Sequence, residues 1–151
     1  MSLEIIINND IKAAMLARDK RKLEALRAIK AALLLEKTGK DTSGGEIPDE
    51  VEFKMLHKLV KQRRDTAEIY EHENRADLAE EERYQLSIIE TYLPQQMSEE
   101  EILKHVKRII TELGATSVKD MGKVMQAASK ELAGKADNKT ISVAIKQTLG
   151  L

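Results

Sequence analysis

Three helix starts and two helix stops crowd the last third of the chain, and they leave room only for short helices. Ser98-Glu-Glu-Glu101, Gly114-Ala-Thr-Ser-Val-Lys-Asp-Met-Gly-Lys-Val-Met125 and Gly134-Lys-Ala-Asp-Asn-Lys139 set helix-ending glycines beside helix-capping Ser or Asp. The middle helix sorts its residues onto two faces. Val118, Met121, Val124, Met125, Ala128 and Leu132 recur at spacings of three and four, which predicts one apolar stripe. Lys119, Lys123, Gln126 and Lys130 keep the same period on another stripe. One face packs a small core; the other offers ammonium groups to an anion.

The rest of the chain is also patterned for helix. No run of β-branched residues alternates with period two, and Ile5-Ile6-Ile7 is too brief to count. Ile7, Ile11, Ala14 and Met15 share a face, and Asp19 can cap a second helix carrying Leu23, Leu26, Ile29, Leu33 and Leu34 inward. Residues 37–45 read as a loop of breakers and small polar residues. A third helix follows Pro48, with Val51, Met55, Leu56, Leu59, Val60, Ala67 and Tyr70 inward. Arg63 falls on that apolar line, and an unpaired buried guanidinium is costly, so pairing with an acid of the fourth helix is expected. Asn74–Asp77 reads as a turn with Asp77 as N-cap of that fourth helix, which runs through Leu78, Ile88, Ile89 and Tyr92.

Pro94 then disfavours helix before it, and Ser98 with Glu101 forms a capping-box pattern. A domain boundary is expected here. Ile102, Val106, Ile109, Ile110 and Leu113 line a fifth helix ended by Gly114. Ser117 caps the sixth, Gly134 ends it, and Asp137 caps a seventh carrying Ile141, Ile145 and Leu149. The expected fold is all-α: a four-helix N-terminal domain over residues 1–93, followed by a small three-helix C-terminal domain over residues 94–151.

Composition removes several classes of function. Aromatic residues are 3% of the chain, too few for a base-stacking platform. With zero cysteines there is no disulfide, thiolate zinc site or cysteine nucleophile. No charged-then-apolar leader pattern is present and no apolar run approaches the ~20 residues that span a bilayer, so a cytoplasmic location and no membrane partner are expected. The net charge of -1 conceals strong local bias. Residues 12–40 carry nine Lys/Arg against three acids, and residues 54–64 carry five against none. Residues 65–91 reverse this with nine acids against Arg75 and Arg83. From 114 onward, six Lys stand against three acids.

A search for catalytic groups finds none. His57, His72 and His105 fall in different segments, and His72-Glu73 lacks a second ligand because position 76 is Ala. Gly122-Lys123 has no earlier Gly five residues back and no Ser/Thr after it, so it is no phosphate loop. No Ser-x-x-Lys occurs, and Ser129-Lys130 sits mid-helix with no base nearby in sequence. Glu80-Glu81-Glu82 point about 100° apart on a helix and are poorly placed to converge on one ion; they read as a solvated face pairing with Arg83 or with basic residues elsewhere. No metal, cofactor or catalytic residue is expected. What remains is the lysine stripe, which continues in type into Lys135, Lys139 and Lys146, with Asp120 and Asp137 set against it. Lysines contact phosphate as point charges, giving affinity without sequence discrimination and a steep dependence on salt.

At these residues the chain resembles the YqeY family, small bacterial proteins related to the C-terminal tail of the B subunit of the tRNA-dependent amidotransferase (GatB). The matching elements are Asp19-Lys-Arg-Lys-Leu-Glu-Ala-Leu-Arg27, Lys61-Gln-Arg-Arg-Asp65, Arg75-Ala-Asp-Leu78 and Tyr92-Leu-Pro-Gln-Gln-Met-Ser98. They continue with Gly114-Ala-Thr-Ser117, Asp120-Met-Gly-Lys-Val-Met125 and Gly134-Lys-Ala-Asp137, and as an ordered set they are specific. Asn138 departs from the pattern, since Gly is common there. The resemblance implies the same four-plus-three helical plan. It also implies a tail-like role in holding tRNA while other regions of the amidotransferase do the chemistry. The chain lacks the Ser-Ser-Lys amidase apparatus and any evident ATP site. The leading expectation is therefore a non-catalytic RNA-binding or tRNA-binding accessory module, with Lys119, Lys123, Lys130, Lys135 and Lys139 as phosphate contacts. One alternative is a helical adaptor that uses the basic second and third helices against an acidic protein partner. Another is a component of a carbon–nitrogen ligase with glutamine as amido donor, active only beside a catalytic partner.

Overall fold

The computed structural model describes residues 2–38 and 47–150, and every regular element among them is helical. Of the expected loop over 37–45, residues 39–45 lie outside the described residues. The contacts gather into two compact units, Met1–Leu93 and Pro94–Leu151.

In the first unit α1 spans Leu3–Leu16, α2 Lys20–Lys37, α3 Asp49–His72 and α4 Ala76–Glu90. Asp19 caps α2 by accepting from the Lys22 amide at 3.1 Å, the role its place before an apolar-periodic run predicts. Ile7, Leu26, Ile29, Leu56 and Ile89, from all four helices, form the fully buried centre of the core. Arg63 pairs as expected: its Nε donates to Gln85 Oε1 at 3.0 Å and lies 3.7 Å from Glu82 Oε2, both on α4. Arg21 of α2 reaches Glu80 at 2.8 Å and Glu81 at 2.7 Å, and its guanidinium lies 4.1 Å above the centre of the Tyr84 ring. The three consecutive glutamates thus each meet an arginine of another helix. Arg83 turns instead to Glu71. Part of the basic charge of α2 and α3 is consumed inside the unit, and the opposite biases of residues 12–64 and 65–91 meet across its helices.

Two expectations are corrected here. Helix α4 begins at Ala76, so Asp77 is a first-turn residue rather than the N-cap, and its carboxylate is held by Arg75 at 3.2 Å. Met15 and Leu34 are about half exposed, because a helical period fixes the phase of a stripe but not how wide a strip its neighbours cover. The turn between α1 and α2 carries Arg18 at φ 57°, a left-handed conformation that costs a residue with a Cβ roughly 1 kcal/mol or more. Arg18 is exposed and in no salt bridge among the described residues. Arg18→Gly is expected to raise stability by up to about 1 kcal/mol, read as a higher midpoint in urea at unchanged slope.

In the second unit α5 spans Glu99–Leu113, α6 Met121–Glu131 and α7 Asn138–Leu149. Ser98 caps α5 by accepting from the Glu101 amide at 3.2 Å, and Gly114 closes it at φ 66°. Val106, Val124, Leu132, Ile141 and Ile145 are fully buried and tie the three helices into one core. Leu113, expected inward, is half exposed.

Candidate nucleic-acid interface

The lysine surface is built on the entry to α6, the turn after it and the first turns of α7. Before α6 comes one 3-10 turn over Val118–Asp120, and the Asp120 carboxylate accepts from the amides of Thr116 at 3.0 Å and Ser117 at 3.3 Å. Those amide bonds, with the nearby Lys123 adding a smaller pull, hold the Asp120 carboxyl below its ordinary value of 3.8. A depressed carboxyl stabilises the fold above its ordinary value, and that contribution is lost as pH falls through the lowered one. The Thr116 and Ser117 amides should therefore keep slow hydrogen exchange at pH 4 and lose protection only in more acidic solution. Asp120→Asn should lower that protection at neutral pH.

After Glu131 the chain turns through Leu132–Asp137, with Gly134 at φ 76° inside the turn and helical geometry ended at Leu132. The expected stop at Gly134 thus comes two residues early. The segment before α5 pins this turn: the Met97 amide donates to the Lys135 carbonyl at 2.9 Å and Gln96 Nε2 to the Gly134 carbonyl at 2.7 Å. Asp137 caps α7 by accepting from the Thr140 amide at 2.7 Å. Ser129 Oγ donates to Asn138 Oδ1 at 3.2 Å, which fastens α7 to α6.

All five lysines expected as phosphate contacts are exposed, and none forms an ion pair among the described residues. They lie on three elements rather than one stripe. Lys123 and Lys130, seven residues apart, share the outer face of α6 with Gln126. Lys119 sits in the 3-10 turn, whose tighter winding shifts its phase, and the same shift leaves Val118 exposed instead of in the apolar stripe. Lys135 stands in the turn and Lys139 in the first turn of α7.

The neighbouring acids are already engaged. Glu131 is held by Arg108 and lies 3.4 Å from His105 Nδ1, and the Arg108 contact lowers its pKa. Arg108 also takes Glu112. Asp120 and Asp137 are committed to backbone amides. None of the five lysines is within ion-pair distance of these acids, although Lys123 is near enough to Asp120 to help hold its carboxyl down. At the start of α7 the Asp137 carboxylate takes the Thr140 amide, whereas the Asp120 carboxylate serves amides ahead of the 3-10 turn and caps none at the start of α6.

His57 and His72 are on α3 and His105 on α5. Among the described residues no three His, Cys, Asp or Glu side chains come together to hold a metal ion, and no helix is long and apolar enough to cross a membrane. Sequence reasoning underused one residue: Lys146, exposed on α7 and seven residues after Lys139, repeats on α7 the spacing of Lys123 and Lys130 on α6.

The model of the YqeY family, described as Yqey-like protein, matches residues 5–149. The chain is also similar to the protein named altered inheritance of mitochondria protein 41, mitochondrial, from three yeasts. It is 31% identical to the Saccharomyces cerevisiae protein over 90% of this chain and 71% of that one. The Vanderwaltozyma polyspora protein is 33% identical over 76% of this chain and 64% of that one. The Lachancea thermotolerans protein is 31% identical over 71% of this chain, and the match spans only 57% of that relative's length. These relatives correct the expected cytoplasmic location, since each is named a mitochondrial protein. Zero cysteine describes composition and carries no address of its own.

Proposed function

Because this chain belongs to the YqeY family, we propose that it is a non-catalytic RNA-binding accessory module, with tRNA its first candidate ligand. In this reading the four-helix segment 1–93 and the three-helix segment 94–151 are separate domains, and the second carries the RNA contacts. The observation that supports it is the exposed, unpaired state of Lys119, Lys123, Lys130, Lys135 and Lys139, beside acids already engaged by Arg108, His105 or backbone amides. The resemblance to the amidotransferase tail supplies the choice of tRNA. With lysine point-charge contacts, the surface would position a phosphate backbone and read little sequence.

The test is an anisotropy titration of the whole protein with total tRNA, with double-stranded DNA as competitor. Saturable, tRNA-preferring binding is the expected result. No binding at low salt would overturn it. In that case, a protein partner that copurifies after nuclease treatment would favour the adaptor reading.

A further inference from the structure

One glycine of α6 has no reason within the chain to be a glycine. Of the described glycines, Gly114, Gly134 and Gly150 stand at φ 66°, 76° and 77°, where a Cβ is disfavoured. Gly122 instead keeps helical backbone, inside a helical run that starts at Val118 and continues through α6. There a glycine weakens the helix relative to alanine, because it loses more backbone freedom on folding. Packing does not ask for it either. Gly122 is exposed, and its own helix turn aside, a Cβ there would meet no atom within 4 Å. The helix gives up stability for a bare patch of backbone on its outer side, and such a patch lets a ligand come close.

The side chains around the patch indicate which ligand. Val124 and Ala128 are buried and fix the inner side of α6, so Gly122, Lys123, Gln126 and Lys130 lie on its outer side. Gln126 follows Gly122 by one turn, about 6 Å along the axis. Its side chain is exposed and forms no hydrogen bond among the described residues. Lys123, next to Gly122 in sequence, is exposed and in no ion pair among them. Bare backbone beside an ammonium group and an amide that both donates and accepts suits a ribose–phosphate strand, anionic at its phosphates and hydroxylated at its sugars. Resting on the RNA-binding reading above, we propose that Gly122 is the point where the RNA backbone comes closest to α6, with Gln126 hydrogen-bonded to sugar or phosphate and Lys123 set against phosphate.

The test pairs thermal unfolding with anisotropy titrations of the whole protein against total tRNA, for the wild type, Gly122→Ala, Gly122→Leu and Gln126→Ala. Alanine and leucine are strong helix formers, so a weakened helix cannot explain weaker binding by either Gly122 variant. Gly122→Ala is expected to raise the thermal midpoint by about 2–5 °C and yet to weaken tRNA binding about fivefold or more. Its salt slope should stay that of the wild type, because no charge is lost. Gly122→Leu, which fills the patch, should abolish binding. Gln126→Ala should weaken it about three- to tenfold, the loss of one hydrogen bond. Wild-type affinity in Gly122→Leu overturns the close approach, and so does a lowered midpoint in Gly122→Ala, which would mean that the chain itself needs the glycine. Wild-type affinity in Gln126→Ala overturns the contact assigned to that amide. Failure of the wild type to bind at low salt removes the RNA-binding reading itself.

Discussion

Reversing two charges, Lys119→Glu with Lys123→Glu, is expected to abolish RNA binding at physiological salt while leaving the helical signal intact. Both residues are exposed and in no ion pair among the described residues, so their loss breaks no salt bridge there, although Lys123→Glu removes the pull of Lys123 on Asp120. Each lysine that neutralises a phosphate contributes roughly one unit to the slope of log affinity against log salt, so the pair should reduce that slope by about two. Reversal adds repulsion between the new carboxylates and the phosphates. Lys119→Gln with Lys123→Gln separates the effects, because it removes the contacts without the repulsion and should bind measurably but weakly. Unchanged binding by the reversed variant would sink the assignment of these lysines.

The second large effect is structural. Leu132→Ala should unfold the Pro94–Leu151 unit and abolish RNA binding with it. Leu132 is fully buried and belongs to the core shared by α5, α6 and α7. Leucine-to-alanine changes at such sites cost about 2–5 kcal/mol, and a core of this size supplies only about 3–5 kcal/mol. The side chain also sits where α6 gives way to the turn carrying Lys135, so its loss loosens the segment that spaces α6 from α7. Thermal unfolding followed by circular dichroism should show lost helical signal at moderate temperature. A midpoint lowered by only a degree or two would show that the core tolerates the cavity and that this account of its marginality is wrong.

The features legible in the sequence were the local ones. Asp19, Ser98 and Asp137 act as caps because a short side chain three residues before an amide can reach it without help from the rest of the fold. Gly114 adopts a left-handed helix end that only the absence of a Cβ makes cheap. Arg63 was legible because a cation on an apolar line has to find a partner, and Glu82 and Gln85 provide it. Features set by distant neighbours were not legible. Arg21 meets Glu80 and Glu81 some sixty positions along the chain, a pairing that no periodicity announces. Arg75 captures Asp77 and takes it out of the capping role that spacing alone suggested. The tighter turn at Val118–Asp120 broke the phase of the stripe, exposing Val118 and separating Lys119 from Lys123 and Lys130. For the interface, charge and period identified lysines but not their grouping. That Glu131 is occupied by Arg108 depends on how α5 packs on α6.

The measurement that bears most directly on a lysine surface contacting RNA phosphate is the salt dependence of tRNA affinity, measured by anisotropy for the wild type and for the Lys119→Glu, Lys123→Glu variant. The expected result is a straight log–log line with a slope of several charges for the wild type, and a clearly shallower line or no measurable binding for the variant. A flat wild-type line, or parallel lines of equal affinity, would contradict the account.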